Sequence, residues 1–223
     1  MKVCVMITTF NRKQCVEQLC ETLKQMKHDM SVVVIDDASE EAPSTEYIDT
    51  YIRNNVNGGR SGWFDTINKL FRMSLKTEAD VYFMLVDDAL PNEDFFDEAF
   101  RLWNSIEDDK KVALHLANND RRKNWTNFVR QSYNDELYLT QTTEFSFMCV
   151  PTFLKITLKQ PSADRWIKRP NAGSGVGEQL NVHHVKKGRR IYGVKKSLIH
   201  ANNNCTESMM NYEERKLNKW KLL

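Results

Sequence analysis

Three short apolar runs, two of them rich in β-branched residues, constrain the fold of this chain more than any other feature. They occupy residues 2–9, 31–35 and 81–86, and each ends in a polar cluster. Strands that are apolar on both faces are typical of a parallel sheet covered by helices on both sides. The sequence therefore predicts an α/β fold whose mostly parallel or mixed central sheet is flanked by helices.

Helical segments are predicted between these strands. Apolar residues recur at helical spacing from residue 16 to 26 and again from 63 to 75. A short helical segment is expected around residues 47–52, and Pro91 is expected to begin a helix that continues to Trp103. Three further strands are predicted, at residues 112–116, 136–140 and 145–150.

The length and the hydropathy pattern favour one soluble domain. A chain of 223 residues, 41% of them hydrophobic, can bury one substantial core. No stretch approaches the roughly 18 to 20 consecutive apolar residues that span a bilayer, and the first residues do not resemble a signal peptide. We therefore expect a soluble, cytoplasmic protein without membrane insertion.

The five cysteines are expected to be buried or free thiols. Their number is odd and no two of them form a CxxC pair, which argues against a disulfide framework and against a zinc-thiolate site. They are Cys4, Cys15, Cys20, Cys149 and Cys205.

Two aspartate pairs follow predicted strands, where ligands bind in open α/β sheets. Asp87 and Asp88 follow the strand at 81–86, and carboxylates leaving an apolar core need a compensating cation or donor. Their oxygens suit Mg²⁺ or Mn²⁺, although a paired Asp can also cap the next helix. Asp36 and Asp37 repeat the pattern, either to accept a hydrogen bond from a pyrimidine base or to form a turn.

A turn at residues 57–60 supplies a candidate phosphate cradle. Asn57 and Gly59 lie in a flexible turn, and Arg60 adds a cation to the first turn of the predicted helix. A Gly-Gly turn alone is weak evidence for such a cradle.

Taken together, four segments resemble the family-2 glycosyltransferases of the GT-A fold. They are ITTFNR at 7–12, VVVIDDAS at 32–39, NNVNGGRSG at 54–62 and YFMLVDDALP at 82–91. The resemblance implies a Rossmann-like GT-A domain over residues 1–223, with a nucleotide-sugar-binding half at 1–110 and an acceptor-binding half at 111–223. It implies an Mn²⁺- or Mg²⁺-dependent glycosyltransferase, with a UDP-sugar as the default donor.

The resemblance also implies roles for individual residues. Asp88 is the expected metal ligand and His200 a second one, while Val86 stands where the family often carries a further acid. The residues expected to bind the nucleotide-sugar are Thr8, Phe10, Arg12, Asp36, Asp37, Asn57, Gly59, Arg60 and Asp87.

The glycine-rich segment at 173–179 resembles the place of the family's catalytic acid. Its Glu178 is the candidate general base for inverting transfer, because Gln179 stands where a second acid is common. A helix-starting glutamate in a glycine-rich loop is the alternative. A retaining enzyme needs no such base, so the stereochemistry stays open, with inversion preferred.

The acceptor is less constrained than the donor. Residues 1–164 hold 19 Lys and Arg against 26 Asp and Glu, a net of −7, whereas the remainder holds 13 against 4, a net of +9. A glycan or protein hydroxyl is expected, and the basic quarter keeps open a viral, phage-type enzyme that acts on hydroxymethylated DNA bases in the host cytoplasm. A non-catalytic nucleotide- or carbohydrate-binding module is the third alternative.

Overall fold

The computed structural model describes residues 1–118, without the side chains of 59–61 and 63, and residues 131–141, 143, 146–158, 184–202 and 205. The described helices are α1 (Lys13–Gln25), α2 (Gly59–Leu75), α3 (Phe95–Asn104) and α4 (Pro151–Thr157). The described strands are β1 (Val3–Thr9), β2 (Met30–Asp36), β3 (Thr50–Arg53), β4 (Val81–Val86), β5 (Ala89–Pro91), β6 (Lys111–His115), β7 (Gln131–Ser132), β8 (Leu137–Thr140), β9 (Phe147–Cys149), β10 (Arg190–Val194) and β11 (Ile199–Ala201).

Nine of the described strands form one sheet in the order β3-β2-β1-β4-β9-β6-β10-β8-β7. The first four run parallel to one another. β9 is antiparallel to both β4 and β6, and β10 returns parallel to β6. The predicted α/β fold, with a mostly parallel central sheet flanked by helices, is confirmed.

Apolar side chains cover both faces of this sheet, which explains the unbroken apolar runs in the sequence. Alternate residues of β1 point to opposite faces: Val5 packs in the cluster with α1 and α3, whereas Met6 packs in the cluster with α2 and α4. Every residue of β1 is buried. Among the described residues, no helix is both long enough and apolar enough to cross a membrane.

The carboxyl ends of β1, β2 and β4 meet at one edge of the sheet. Thr9 lies opposite Asp36 in the β1–β2 register, and Thr8 lies opposite Val86 in the β1–β4 register. Just beyond β4, the short strands β5 and β11 pair antiparallel, and the Asn202 amide donates to the Asp88 carbonyl at 2.7 Å. The late segment around β11 is thus held beside the two aspartates.

One predicted helical segment is wrong, and a second helix begins later than predicted but reaches Trp103 as expected. Residues 50–53 form the edge strand β3, because their backbone pairs with β2 and the Tyr51 hydroxyl donates to Asp36. Pro91 ends strand β5, and α3 begins only at Phe95. Pairing of β5 with β11 therefore takes the place of the predicted first turn.

The expectation of thiols alone is wrong for one pair of cysteines. Cys15, near the start of α1, forms a disulfide with Cys205, and their Cα atoms are 5.6 Å apart. Cys4, Cys20 and Cys149 are buried free thiols, as expected. The disulfide joins residues 190 positions apart, so it ties the segment after β11 to α1.

Reduction of this disulfide is expected to destabilise the protein. Opening a loop of this length releases chain entropy in the unfolded state, so we expect the free energy of unfolding to fall by about 2 to 5 kcal/mol. The measurement is thermal unfolding with and without dithiothreitol, with Cys205→Ser as a control that should not respond to the reductant. Equal melting temperatures of the native chain under both conditions would contradict the assignment.

Candidate functional site

Asp87 and Asp88 lie directly after β4 and share a network with residues at the end of β1. The Thr9 hydroxyl donates to Asp87 Oδ2 at 2.9 Å. Arg12 Nη1 donates to Asp87 Oδ1 and to Asp88 Oδ2, both at 2.9 Å. The side chain of Asp87 is 9% exposed and that of Asp88 is 22% exposed, so Asp88 is the more accessible of the two to a ligand.

Burial sets the electrostatics of this pair. It raises the pKa of Asp87, an effect that Arg12 and the Thr9 hydrogen bond only partly offset. An ionised carboxylate in this position needs positive charge beside it, and Arg12 supplies that charge in the structure.

A divalent metal is compatible with the donor atoms at this edge. The two carboxylates offer oxygen ligands of the kind that Mg²⁺ and Mn²⁺ prefer, and Mg²⁺ usually keeps several waters and substrate phosphates as its remaining ligands. No group of three or more His, Cys, Asp or Glu side chains that could hold a metal occurs within the described residues. Asp87 and Asp88 fit a metal that is shared with a phosphate-bearing ligand.

Asp36 is occupied by internal hydrogen bonds. Its Oδ1 accepts from the Ser39 amide at 2.8 Å and from the Ser39 hydroxyl at 2.6 Å, and its Oδ2 accepts from the Tyr51 hydroxyl at 2.6 Å. The side chain is fully buried. Burial, followed by the bond to Asp36, raises the pKa of Tyr51, which keeps its hydroxyl a donor. Asp36 therefore fixes the loop after β2 and the edge strand β3.

Asp37 organises the approach to α2. Its Oδ1 accepts from Asn54 Nδ2 at 2.8 Å and from the Thr66 hydroxyl at 3.2 Å. Its carbonyl accepts from Asn57 Nδ2 at 3.0 Å. These bonds hold the turn at 57–60 against the end of β2, and at Gly58 the turn is tight, because a Cβ there would lie 2.8 Å from Gly62 Cα.

The other predicted donor-binding residues lie along the same edge. Thr8 is buried in β1, next to the strand end, whereas Phe10 is 41% exposed just after it. Gly59 is the first residue of α2. Arg60 follows it, but its side chain lies outside the description.

Of the remaining two predicted site residues, His200 and Glu178, the structure describes only the first. His200 is exposed in the middle of β11, opposite Leu90 of β5, and its role as a metal ligand stays a prediction. Glu178 lies outside the described residues.

Three residues of this network were missed by the sequence analysis: Thr9, Ser39 and Asn54. Thr9 follows directly after Thr8, and side chains alternate along a strand, so only one of the two threonines faces Asp87. Ser39 donates to Asp36 and Asn54 donates to Asp37. Both residues lie within the motifs VVVIDDAS and NNVNGGRSG, which were the only sequence signal for them.

The comparisons with known proteins bear on the fold. No family model matches the chain, and no curated protein sequence matches it. Among solved structures, S. aureus TarS is similar with a TM-score of 0.62 and 14% identity, over 90% of this chain and 36% of that one. Mannose-1-phosphate geranyltransferase from Thermus thermophilus is similar with a TM-score of 0.54 and 12% identity, over 86% and 73%.

A third similar structure is glucosyl-3-phosphoglycerate synthase from Mycobacterium tuberculosis with UDP, Mn²⁺ and glucosyl-3-phosphoglycerate. Its TM-score is 0.51 and its identity 10%, over 91% of this chain and 72% of that one. The fold is that of the GT-A glycosyltransferases. At these identities the similarity concerns the fold, and the chain spans little more than a third of TarS.

Proposed function

We propose that this GT-A chain is a metal-dependent glycosyltransferase that moves a sugar from a nucleotide-sugar donor to a hydroxyl acceptor. The observation that carries the proposal is the carboxylate pair Asp87 and Asp88 at the carboxyl edge of the sheet, held by Thr9 and Arg12. Ligands of open α/β sheets bind at this edge.

Asp87 and Asp88 would hold the metal, with Asp88 as the more exposed of the two. When bound there, Mn²⁺ or Mg²⁺ would offset the negative charge of the departing diphosphate. Thr9 keeps the Asp87 carboxylate in one orientation, because its hydroxyl occupies Oδ2. His200 is proposed as a further ligand from β11.

The turn at the start of α2 is proposed to bind the donor. Asp37 fixes this turn through Asn54 and Asn57, so the N-terminus of α2 lies beside the carboxyl end of β2. The backbone amides at a helix N-terminus are suited to bind phosphate. Exposed Phe10 offers a ring for stacking on the base. A uridine donor is the default, in keeping with the similar structure that contains UDP and Mn²⁺.

Acceptor activation is assigned to Glu178 as general base, with inversion at the sugar carbon. The base would take the proton of the acceptor hydroxyl while the oxygen attacks that carbon and the nucleoside diphosphate leaves. The acceptor is proposed to be a glycan or protein hydroxyl, bound by residues 111–223. These residues and the nucleotide-sugar-binding half at 1–110 would form one domain.

One other acceptor, DNA, and one other role, that of a non-catalytic module, predict different behaviour in binding and turnover assays. A phage-type enzyme acting on DNA would use the basic C-terminal quarter, where Lys186, Lys187 and Arg190 are exposed, and its DNA affinity would fall steeply with salt. A non-catalytic module would bind nucleotide without turnover. A cytoplasmic location stays a prediction. The Cys15–Cys205 disulfide argues against it, because disulfides persist mainly in oxidising compartments.

Slow hydrolysis of the donor tests the proposed function without knowledge of the acceptor. The protein is incubated with UDP-, GDP-, CDP- and dTDP-sugars and Mn²⁺, and the released nucleoside diphosphate is quantified by ion-pair chromatography. We expect release from one nucleotide class, suppressed by EDTA and restored by excess Mn²⁺. Binding without release from any donor would support the module instead.

A further inference from the structure

One nitrogen of Arg12 lies between the two carboxylates as a bound cation would. The same Nη1 atom is 2.9 Å from Asp87 Oδ1 and 2.9 Å from Asp88 Oδ2. The Arg12 side chain is 16% exposed, so this contact is largely shielded from water. A guanidinium group carries its charge at every relevant pH, so Arg12 offsets part of the negative charge of the pair while it holds this position.

The backbone around Arg12 is fixed while its side chain extends across the site. The Arg12 carbonyl accepts from the Val16 amide at 3.1 Å, which anchors the start of α1. The preceding Asn11 amide donates to the Ser39 hydroxyl at 2.8 Å, and Asn11 Oδ1 accepts from the Glu40 amide at 2.8 Å. Any change of partner at Arg12 therefore occurs by side-chain rotation.

We propose that Arg12 is an exchangeable internal counter-ion. It occupies the carboxylate pair in the absence of metal and turns to the donor diphosphate when a divalent cation takes Asp87 and Asp88. The inference rests on the proposed function. Its physical basis is that a divalent cation bound to Asp87 Oδ1 and Asp88 Oδ2 would lie next to Arg12 Nη1, and that like charges at this separation repel strongly.

The exchange has a thermodynamic consequence. Metal binding alone must displace Arg12 and leave the guanidinium without its carboxylates, which weakens the metal affinity. A diphosphate gives Arg12 a new anionic partner, to which guanidinium donors bind in a bidentate manner. Metal and diphosphate therefore bind cooperatively, and part of that coupling resides in Arg12.

Mn²⁺ titration followed by electron paramagnetic resonance tests the proposal without an activity readout. Free Mn²⁺ is measured for the native chain and for Arg12→Met and Arg12→Gln, with and without UDP, GDP, CDP or dTDP, after subtraction of Mn²⁺–nucleotide complexes formed without protein. Two neutral variants are used because Arg12→Met removes the Arg12 donor from both carboxylates and leaves Asp87 only its bond from Thr9, whereas the glutamine amide can still donate to one of them.

The control variant is Lys13→Met. Lys13 is the adjacent residue, its side chain is 43% exposed, and it pairs with Glu41 at 3.3 Å, away from the carboxylate pair. It removes the same unit of charge from the same stretch of chain. We expect this control to change the Mn²⁺ affinity by less than about twofold.

In the absence of nucleotide, both neutral Arg12 variants are expected to bind Mn²⁺ about tenfold more tightly than the native chain. The nucleotide that raises Mn²⁺ affinity in the native chain should do so by a factor about tenfold smaller in the variants. Unchanged or weaker Mn²⁺ binding in a folded Arg12 variant, with nucleotide enhancement intact, overturns the exchange alone. Absence of Mn²⁺ binding in every protein, with or without nucleotide, overturns the proposed function and the exchange with it.

Discussion

Replacement of Asp88 by asparagine is expected to lower the rate of nucleoside diphosphate release by about 100-fold or more. The neutral amide is a poor ligand for Mn²⁺ or Mg²⁺, so the charge that offsets the leaving diphosphate is lost. The measurement is the steady-state rate of release at saturating donor, across a range of Mn²⁺ concentrations.

The fold should survive this change, which separates a catalytic effect from a structural one. The asparagine carbonyl can still accept from Arg12, and Asp87 retains its contacts with Thr9 and Arg12. We expect the free energy of unfolding to change by no more than about 1 kcal/mol. Glu93→Gln, on the exposed surface beyond β5, is the matched control and should retain the full rate. A native rate in Asp88→Asn would remove this carboxylate from the reaction.

Replacement of Asp36 by alanine is expected to lower the free energy of unfolding by about 3 kcal/mol or more, because it leaves buried donors unsatisfied. The alanine cannot accept from the Ser39 amide, the Ser39 hydroxyl or the Tyr51 hydroxyl. The measurement is urea unfolding followed by fluorescence.

Two milder variants make this test specific. Asp36→Asn should cost much less than the alanine variant, because the Tyr51 hydroxyl can accept from the new amide while the asparagine carbonyl accepts from Ser39. Tyr51→Phe should cost about 1 kcal/mol, the contribution of one hydrogen bond. If Asp36→Ala keeps native stability but loses nucleotide binding, Asp36 contacts the ligand directly and its structural role is refuted.

The sequence predicted the strands that are buried on both faces, but it predicted a helix where the structure has the edge strand β3. β1, β2 and β4 are continuous apolar runs because they occupy the middle of a sheet with helices on both sides. β3 is a four-residue edge strand, mostly half-buried, so its pattern resembles that of a short exposed helix. The Cys15–Cys205 disulfide joins residues that only the folded chain brings together, and no spacing rule indicates such a pair.

For the candidate site, the sequence placed the polar residues at the correct ends of the strands but could not assign their partners. Asp36 and Asp37 both follow β2, yet the structure gives Asp36 three internal donors and directs Asp37 toward the turn before α2. The contact of Arg12 with Asp87 joins residues 75 positions apart. Such pairings depend on strand order, which the sequence did not determine.

A thermal-shift experiment tests the central claim most directly. The melting temperature of the native chain and of Asp88→Asn is measured with UDP-, GDP-, CDP- and dTDP-sugars, each with and without Mn²⁺. We predict that one nucleotide class stabilises the native chain only when Mn²⁺ is present, and that Asp88→Asn loses this stabilisation. Absence of a shift with every donor, or a shift independent of both Mn²⁺ and Asp88, would contradict a metal-dependent nucleotide-sugar site at this edge of the sheet.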